Sequence, residues 1–135
     1  MDRSVKDKVC IVIPAFNEAQ IISEVIDQIE QEGYKKIIVI DDGSTDKTYY
    51  VAKDAGVMVA KHLINRGKGA ATQTGFDAAK ILGAEIVVTM DADGQHSAKD
   101  ISTLVKPIVD GECDVVLGSR FLDKNDIPRK KLLMN

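Results

Sequence analysis

Residues 87–96 have the sequence VVTMDADGQH, an apolar run that ends in two carboxylates one residue apart. The run predicts a buried strand that brings the Asp91 and Asp93 side chains to the edge of a sheet. Ligands of open α/β sheets bind beyond the carboxyl ends of the strands, so we expect both carboxylates to face a ligand. Oxygen ligands at this spacing suit Mg²⁺ or Mn²⁺ holding a diphosphate. The alternative is that the pair only ends the strand and caps the next helix.

Strand and helix patterns alternate along the rest of the chain. Apolar, β-branched runs predict buried parallel strands at residues 9–13, 37–40, 57–60, 85–90 and 114–117. The segments between them have the apolar or small-residue periodicity of helices, which we expect at about 21–29, 46–55, 70–82 and 99–110. Ser44 or Asp46 is expected to cap the second of these helices. This alternation predicts an α/β fold, a Rossmann-like three-layer α/β/α arrangement with a mostly parallel sheet.

The composition argues against several classes of protein. The 135 residues carry a net charge of −3 and only 4% are aromatic, so we expect one domain with no nucleic acid as a partner. The first eight residues are charged and no run approaches ~18 apolar residues, which predicts neither a secretory signal nor a membrane span. We therefore expect a cytoplasmic location. Cys10 lies inside an apolar run and Cys113 precedes another, and both are expected to be small buried hydrophobes rather than a disulfide or a metal site.

Polar residues follow four of the predicted strands. Because the carboxyl ends of parallel strands share one edge, we expect these side chains to converge on one site. They are Asn17 and Glu18, Asp41 and Asp42, Asp91 with Asp93 and Gln95, and Arg120. A carboxylate at position 41 or 42 can accept hydrogen bonds from a base or a ribose. The alternative for Asp42 is that it only forms the turn.

The loop at residues 65–69, Asn-Arg-Gly-Lys-Gly, could bring Lys68 and backbone N–H groups to a diphosphate at a helix N-terminus. It lacks the spacing of a Walker A motif, and no strand leads into a G-x-G-x-x-G sequence. We expect His62 to be a surface loop residue. For His96 the sequence leaves open whether the side chain contacts a metal or substrate.

Five segments in order, at residues 12–18, 40–46, 65–70, 90–96 and 118–121, carry a family resemblance. The chain resembles the nucleotide-binding half of the family 2 inverting glycosyltransferases of GT-A fold. The similarity is greatest to the dolichyl-phosphate mannose synthase and polyprenyl-phosphate glucosyltransferase branch. The resemblance implies a nucleotide-sugar-binding glycosyltransferase domain at residues 1–122. It also implies that residues 123–135 begin an acceptor-side or membrane-proximal segment, so that the chain is a fragment of a longer protein.

The resemblance also implies roles for individual residues. Those lining the nucleotide pocket are Pro14, Ala15, Phe16 and Glu18, with Asp42, helped by Asp41, on the base; Phe16 stands where the family often has Tyr. Asp91 and Ala92 are implied at the ribose and diphosphate. Asp93 and Gln95, with Asp91, are implied as ligands of Mg²⁺ or Mn²⁺. Arg120 is implied to face the phosphates or the acceptor, which makes Asp93 and Arg120 the catalytic candidates.

The implied reaction moves a sugar from a UDP- or GDP-linked donor to an acceptor with inversion. A lipid phosphate is the expected acceptor, because it is already anionic and needs no general base. The basic residues 129–131 suit such an acceptor, and they suit the cytoplasmic face of a membrane in a full-length protein. Two alternatives remain open at this stage. They are a sugar-phosphate nucleotidylyltransferase and a fragment that binds the nucleotide sugar without catalysis.

Overall fold

A four-stranded parallel sheet lies at the centre of the protein. The computed structural model describes residues 1–118. The strands are β1 (Val9–Ala15), β2 (Lys36–Asp41), β3 (Met58–Lys61) and β4 (Ile86–Thr89). The helices are α1 (Arg3–Lys6), α2 (Ile22–Gln31), α3 (Thr48–Asp54), α4 (Lys68–Ile81) and α5 (Ile101–Val109), with a 3₁₀ turn at Ala98–Asp100 before α5.

Within the described residues the strand order is β3-β2-β1-β4 and every pair is parallel. Strand β1 is central, with Ile11 opposite Ile37 of β2 on one side and opposite Val88 of β4 on the other. All seven residues of β1 are buried, as a continuous apolar run in a parallel sheet predicts. The carboxyl ends of the four strands therefore lie along one edge.

Helices cover both faces of the sheet. Ile11 and Ile13 of β1 belong to an apolar cluster that includes residues of α2, α3 and α5. Cys10 and Val12, which point the other way, belong to a second cluster with Ala71 and Ala79 of α4. The expected three-layer α/β/α arrangement is therefore confirmed.

Helix α4 approaches the sheet closely because its inner face is made of small residues. Ala71, Gly75 and Ala79 recur every four residues and are all buried. A Cβ atom added at Gly75 would lie 2.1 Å from Cγ1 of Val12. Only glycine fits this position without displacing Val12.

The predicted fifth strand at residues 114–117 is wrong. This segment has no strand structure, and its Val115 and Leu117 are 72% and 86% exposed. An apolar run forms a strand only where a neighbouring strand completes its hydrogen bonds, and the described residues provide none for it. Gly118 lies instead against the Leu104 side chain of α5.

The structure also differs from the sequence prediction in three smaller features. Helix α3 begins at Thr48, so its N-cap position is Lys47 rather than Ser44 or Asp46. Ser44 bonds to the loop after β1, whereas Oδ1 of Asp46 accepts from the Thr48 amide at 2.9 Å at the start of the helix. The short helix α1 was not predicted; the Asp2 side chain accepts a hydrogen bond from the Ser4 amide at its start. Cys10 is fully buried as expected, whereas Cys113 is only half-buried; both are free.

No helix within residues 1–118 has both the length and the apolar character needed to cross a membrane. Arg120, the boundary between residues 122 and 123, and the basic residues 129–131 lie outside the described residues.

Candidate active site

A cavity of about 410 Å³ opens at the carboxyl ends of β1, β2 and β4. It lies where parallel strands deliver the residues that follow them, which is the usual position of a ligand site in an open α/β sheet. Its lining consists of Pro14, Ala15, Phe16, Glu18, Asp42, Asn65, Gly67, Lys68, Ala71, Asp91, Ala92 and Asp93. The predicted site residues in the described part of the chain are all in this set except Asn17, Asp41 and Gln95.

Four carboxylates line the cavity: Glu18, Asp42, Asp91 and Asp93. Burial, and then the carboxylates of Asp93 and Asp46, raise the pKa of Glu18. Asp91 forms an ion pair with Lys68, the residue after Gly67 in the 65–69 loop. The cavity lining therefore carries four carboxylates and one lysine, an excess of negative charge.

The residues present fit a divalent cation. Asp91 and Asp93 offer hard oxygen ligands, and the raised pKa of Glu18, which burial and the nearby Asp93 carboxylate cause, marks a place where added positive charge is favourable. Within residues 1–118 no three His, Cys, Asp or Glu side chains form a ready metal cluster. A pair of carboxylates such as Asp91 and Asp93 can hold a divalent cation together with substrate phosphates. Gln95 is exposed outside the cavity, and its backbone N–H donates to Oδ1 of Asp93 at 2.9 Å.

Asp42 connects the end of β2 to the loop before α4. Its Oδ1 accepts from the Arg66 amide at 2.9 Å and contacts Nδ1 of His62 at 2.8 Å, and its Oδ2 accepts from the Gly67 amide at 2.8 Å. Burial acts to raise the pKa of Asp42, but these hydrogen bonds outweigh it and hold the pKa below its ordinary value. Asp42 thus organises the 62–67 loop while also lining the cavity.

Asp41 lies beneath this loop, away from the cavity lining. Its side chain is fully buried, and Oδ1 accepts a hydrogen bond from the Ser44 amide at 3.0 Å. Its Oδ2 has no hydrogen-bond partner among the described residues. The next turn residue, Gly43, has φ 73°, and a Cβ there would lie 2.4 Å from the Asn65 nitrogen. Gly43 therefore lets the 62–67 loop pack directly on the end of β2.

Asn17 fastens the loop after β1 to the loop after β2. It adopts φ 53°, its amide donates to Oγ of Ser44, and its Oδ1 accepts from the amides of Thr45 and Asp46. The neighbouring Glu18 amide donates to Oγ1 of Thr48 at 2.9 Å. Asn17 was grouped with the site residues by its position after a strand. The structure places it outside the cavity lining, where it fixes Phe16 and Glu18.

The expectation for His62 was wrong. Its side chain is only 9% exposed, with Nδ1 against Asp42 and Nε2 at 2.9 Å from Oγ1 of Thr74 in α4. His62 directly follows β3, and this position at the carboxyl end of a strand could have indicated that it lies near the site. His96 lies outside the cavity lining and contacts Asp91 instead, where its Nδ1 accepts from the Asp91 amide at 3.1 Å.

Three lining residues were not among the predicted site residues. Asn65 and Gly67 belong to the loop from which only Lys68 was selected, and Ala71 belongs to the small-residue face of α4. Asn65 and Gly67 could have been selected because they belong to the 65–69 loop, which was expected to reach a diphosphate. Ala71 could have been selected because small side chains on α4 allow a ligand to approach the helix closely.

The family model for Glycosyl transferase family 2 matches residues 10–135. The chain belongs to this family. An uncharacterized protein of Methanocaldococcus jannaschii is 45% identical over 95% of this chain and 53% of its own length. A UDP-N-acetylglucosamine–dolichyl-phosphate N-acetylglucosaminyltransferase of Methanococcus voltae is 36% identical over 90% of this chain and 55% of its own length. The chain thus spans about half the length of these relatives.

Solved structures agree with this family. Glucosyl-3-phosphoglycerate synthase from Mycobacterium tuberculosis, crystallised with Mn²⁺, UDP-glucose and phosphoglyceric acid, superposes with a TM-score of 0.66 at 29% identity. The match covers 82% of this chain and 43% of that enzyme. The fold expected from the resemblance, an α/β arrangement of GT-A type, is thereby confirmed.

Proposed function

We propose that the chain is the donor-binding part of a glycosyltransferase that moves a sugar from a nucleotide-diphosphate sugar to a polyprenyl or dolichyl phosphate with inversion. The observation that carries this proposal is the cavity at the carboxyl edge of the sheet, which Asp91, Asp93 and Lys68 line and in which Asp91 and Lys68 form an ion pair. The carboxylates suit a metal ion, and the lysine suits phosphate oxygens.

The donor nucleotide is assigned to the side of the cavity formed by the ends of β1 and β2. Phe16 is 45% exposed and offers an apolar face to a base, while Pro14 and Ala15 form the wall beside it. Asp42 is an acceptor for an N–H group of the base. Lys68 and the N-terminus of α4 are placed for the diphosphate, where positive charge and free N–H groups attract anions.

A divalent cation, Mg²⁺ or Mn²⁺, is assigned to Asp93 with Asp91, and Gln95 is the further candidate ligand from the same loop. When bound, this cation stabilises the negative charge that develops on the leaving diphosphate. The Asp93 carboxylate also acts on Glu18 through its charge, so a cation held by Asp93 and Asp91 would offset the repulsion between Glu18 and Asp93. Mn²⁺ in the solved relative supports this assignment.

The acceptor assignment rests on the relatives. The Methanococcus voltae relative is named for dolichyl phosphate, and a phosphate of this kind is already anionic and needs no carboxylate to activate it. Within the described residues, the cavity carboxylates are therefore free to serve the donor and its metal. The basic residues 129–131 are the candidate contact with a membrane surface in the longer protein.

The donor and metal assignments are tested by calorimetric titration of UDP and GDP into the 135-residue chain, with and without Mn²⁺. We expect one nucleotide to bind with a clear requirement for Mn²⁺. Asp93→Asn should weaken the Mn²⁺-dependent binding at least about tenfold, because even the outer partners of metal ligands contribute that much. Asp27→Asn removes the same charge from an exposed position of α2 and is expected to bind like the unmodified chain.

The acceptor assignment is tested with the longest natural protein that contains this chain. We expect transfer of sugar to polyprenyl phosphate and none to phosphoglyceric acid, which is bound in the solved relative together with UDP-glucose. Transfer only to phosphoglyceric acid would contradict the lipid-phosphate assignment and indicate a soluble acceptor. Nucleotide binding without transfer to either would support the non-catalytic alternative.

A further inference from the structure

A line of hydrogen bonds joins the end of β2 to helix α4 through a buried histidine. Nδ1 of His62 lies 2.8 Å from Oδ1 of Asp42, and Nε2 lies 2.9 Å from Oγ1 of Thr74. The side chains of His62 and Asp42 are 9% and 5% exposed. Both ring nitrogens therefore have partners in a place largely shielded from water.

The direction of the first bond follows from the chemistry of Asp42. Burial acts against ionisation, but hydrogen bonds from Arg66, His62 and Gly67 hold the pKa of this carboxyl below its ordinary value. An ionised carboxylate can only accept hydrogen bonds. Nδ1 of His62 must therefore carry a hydrogen and donate it to Asp42.

Asp42 has acceptor capacity left for a ligand. Its two oxygens offer about four lone-pair positions, and His62 with the amides of Arg66 and Gly67 uses three of them. Asp42 also lines the cavity. Arg66 and Gly67 contribute only backbone amides, whereas the side chain of His62 also contacts Thr74 of α4. The direction of the remaining acceptor position thus depends on His62.

We propose that His62 is a positioning residue for donor binding, which orients Asp42 toward the base and, through Asp42, holds the amides of Arg66 and Gly67 at the cavity. This inference rests on the proposed function and deepens it. It assigns to a side chain outside the cavity the alignment of the base-binding and diphosphate-binding parts of the site.

Two amide substitutions separate the two bonds of His62. In His62→Asn the side-chain amide occupies the place of Nδ1 and can still donate to Asp42, but no group reaches Thr74. In His62→Gln the amide reaches the place of Nε2 and Thr74, and the donor to Asp42 is lost. Each variant removes one bond of the same histidine, so each serves as the control for the other.

The first readout needs no ligand. Amide hydrogen exchange of Arg66 and Gly67 in the 135-residue chain reports whether their bonds to Asp42 persist. We expect His62→Gln to lower the protection of both amides about tenfold, the effect of losing one charge-assisted hydrogen bond. We expect His62→Asn to leave their protection within about threefold, since the donor to Asp42 remains.

The second readout is the affinity for the nucleotide that the unmodified chain binds, UDP or GDP. The positioning role predicts a loss of about tenfold in His62→Gln and near-normal affinity in His62→Asn, whatever their melting temperatures. Affinity and protection that fall together with melting temperature in both variants would overturn it, because a merely structural role gives that result. If the unmodified chain binds neither nucleotide, the proposed function fails, and the exchange comparison alone decides whether His62 positions Asp42.

Discussion

Gly75 lies where helix α4 crosses the central strand, directly over Val12. We predict that Gly75→Ala lowers the free energy of unfolding by about 1–3 kcal/mol, because the added methyl group overlaps Cγ1 of Val12. Urea denaturation measures this change. Gly69→Ala is the matched control in the same helix, since a Cβ there meets nothing within 4 Å. It should leave stability unchanged or raise it by up to about 1 kcal/mol.

A second substitution that makes room for the added methyl group tests whether its overlap with Val12 causes the loss of stability in Gly75→Ala. Val12→Ala removes the methyl group that the new Cβ would contact, so we expect it to offset part of the damage in the double variant. The coupling between the two substitutions should be at least about 0.5 kcal/mol in a double-mutant cycle. Strict additivity would show that the close approach of α4 to β1 is not the cause.

Glu18 should make stability depend on pH in the absence of divalent cations. Its pKa is raised in the folded chain by burial and by the carboxylates of Asp93 and Asp46. The folded state therefore holds the Glu18 proton more strongly than the unfolded state does. Stability should fall as pH rises from the ordinary glutamate pKa through the raised value, and then level off.

Glu18→Gln lacks this titration and keeps the backbone bond of residue 18 to Thr48. We therefore expect the variant to gain stability over the unmodified chain as pH rises across that window. Denaturation at a series of pH values without divalent metal measures the difference. A difference that stays flat, or that changes in the opposite direction, would mean that burial and the neighbouring carboxylates do not raise the pKa of Glu18.

The loops that follow β1 and β2 are held together as one unit by Asn17. We predict that Asn17→Ala destabilises the chain by about 2–4 kcal/mol, because the amides of Thr45 and Asp46 lose their acceptor and alanine is strained at φ 53°. Asn17→Gly removes the same acceptor without that strain and should recover about 1 kcal/mol. Equal losses in the two variants would show that backbone strain contributes nothing here.

The main elements could be predicted from local sequence, whereas their ends could not. Continuous apolar runs located β1 to β4, and the spacing of small residues located α4 and its inner face. The start of α3 was predicted too early, because Ser44 bonds instead to the loop after β1, 27 positions away in sequence, and Asp46 accepts from the Thr48 amide from outside the helix. Residues 114–117 were misassigned because an apolar run does not reveal whether a neighbouring strand is available.

At the scale of the whole molecule, parallel topology explains why much of the candidate site could be predicted. Every strand of such a sheet ends at the same edge, so residues after β1, β2 and β4 had to meet there. Contacts between loops could not be predicted in this way. His62 was missed, and Asp41 lies beneath the loop rather than in the cavity, because both depend on how one loop packs on another.

The central claim is that this edge of the sheet holds a divalent cation together with a nucleoside diphosphate. The most direct test is paramagnetic broadening of amide signals by Mn²⁺, recorded on the 135-residue chain with the nucleotide that it binds. We predict that signals of Glu18 and residues 91–95 disappear first, and that those around Asp27 on α2 persist. Broadening centred elsewhere, or equal loss of signal across the chain, would contradict the assignment.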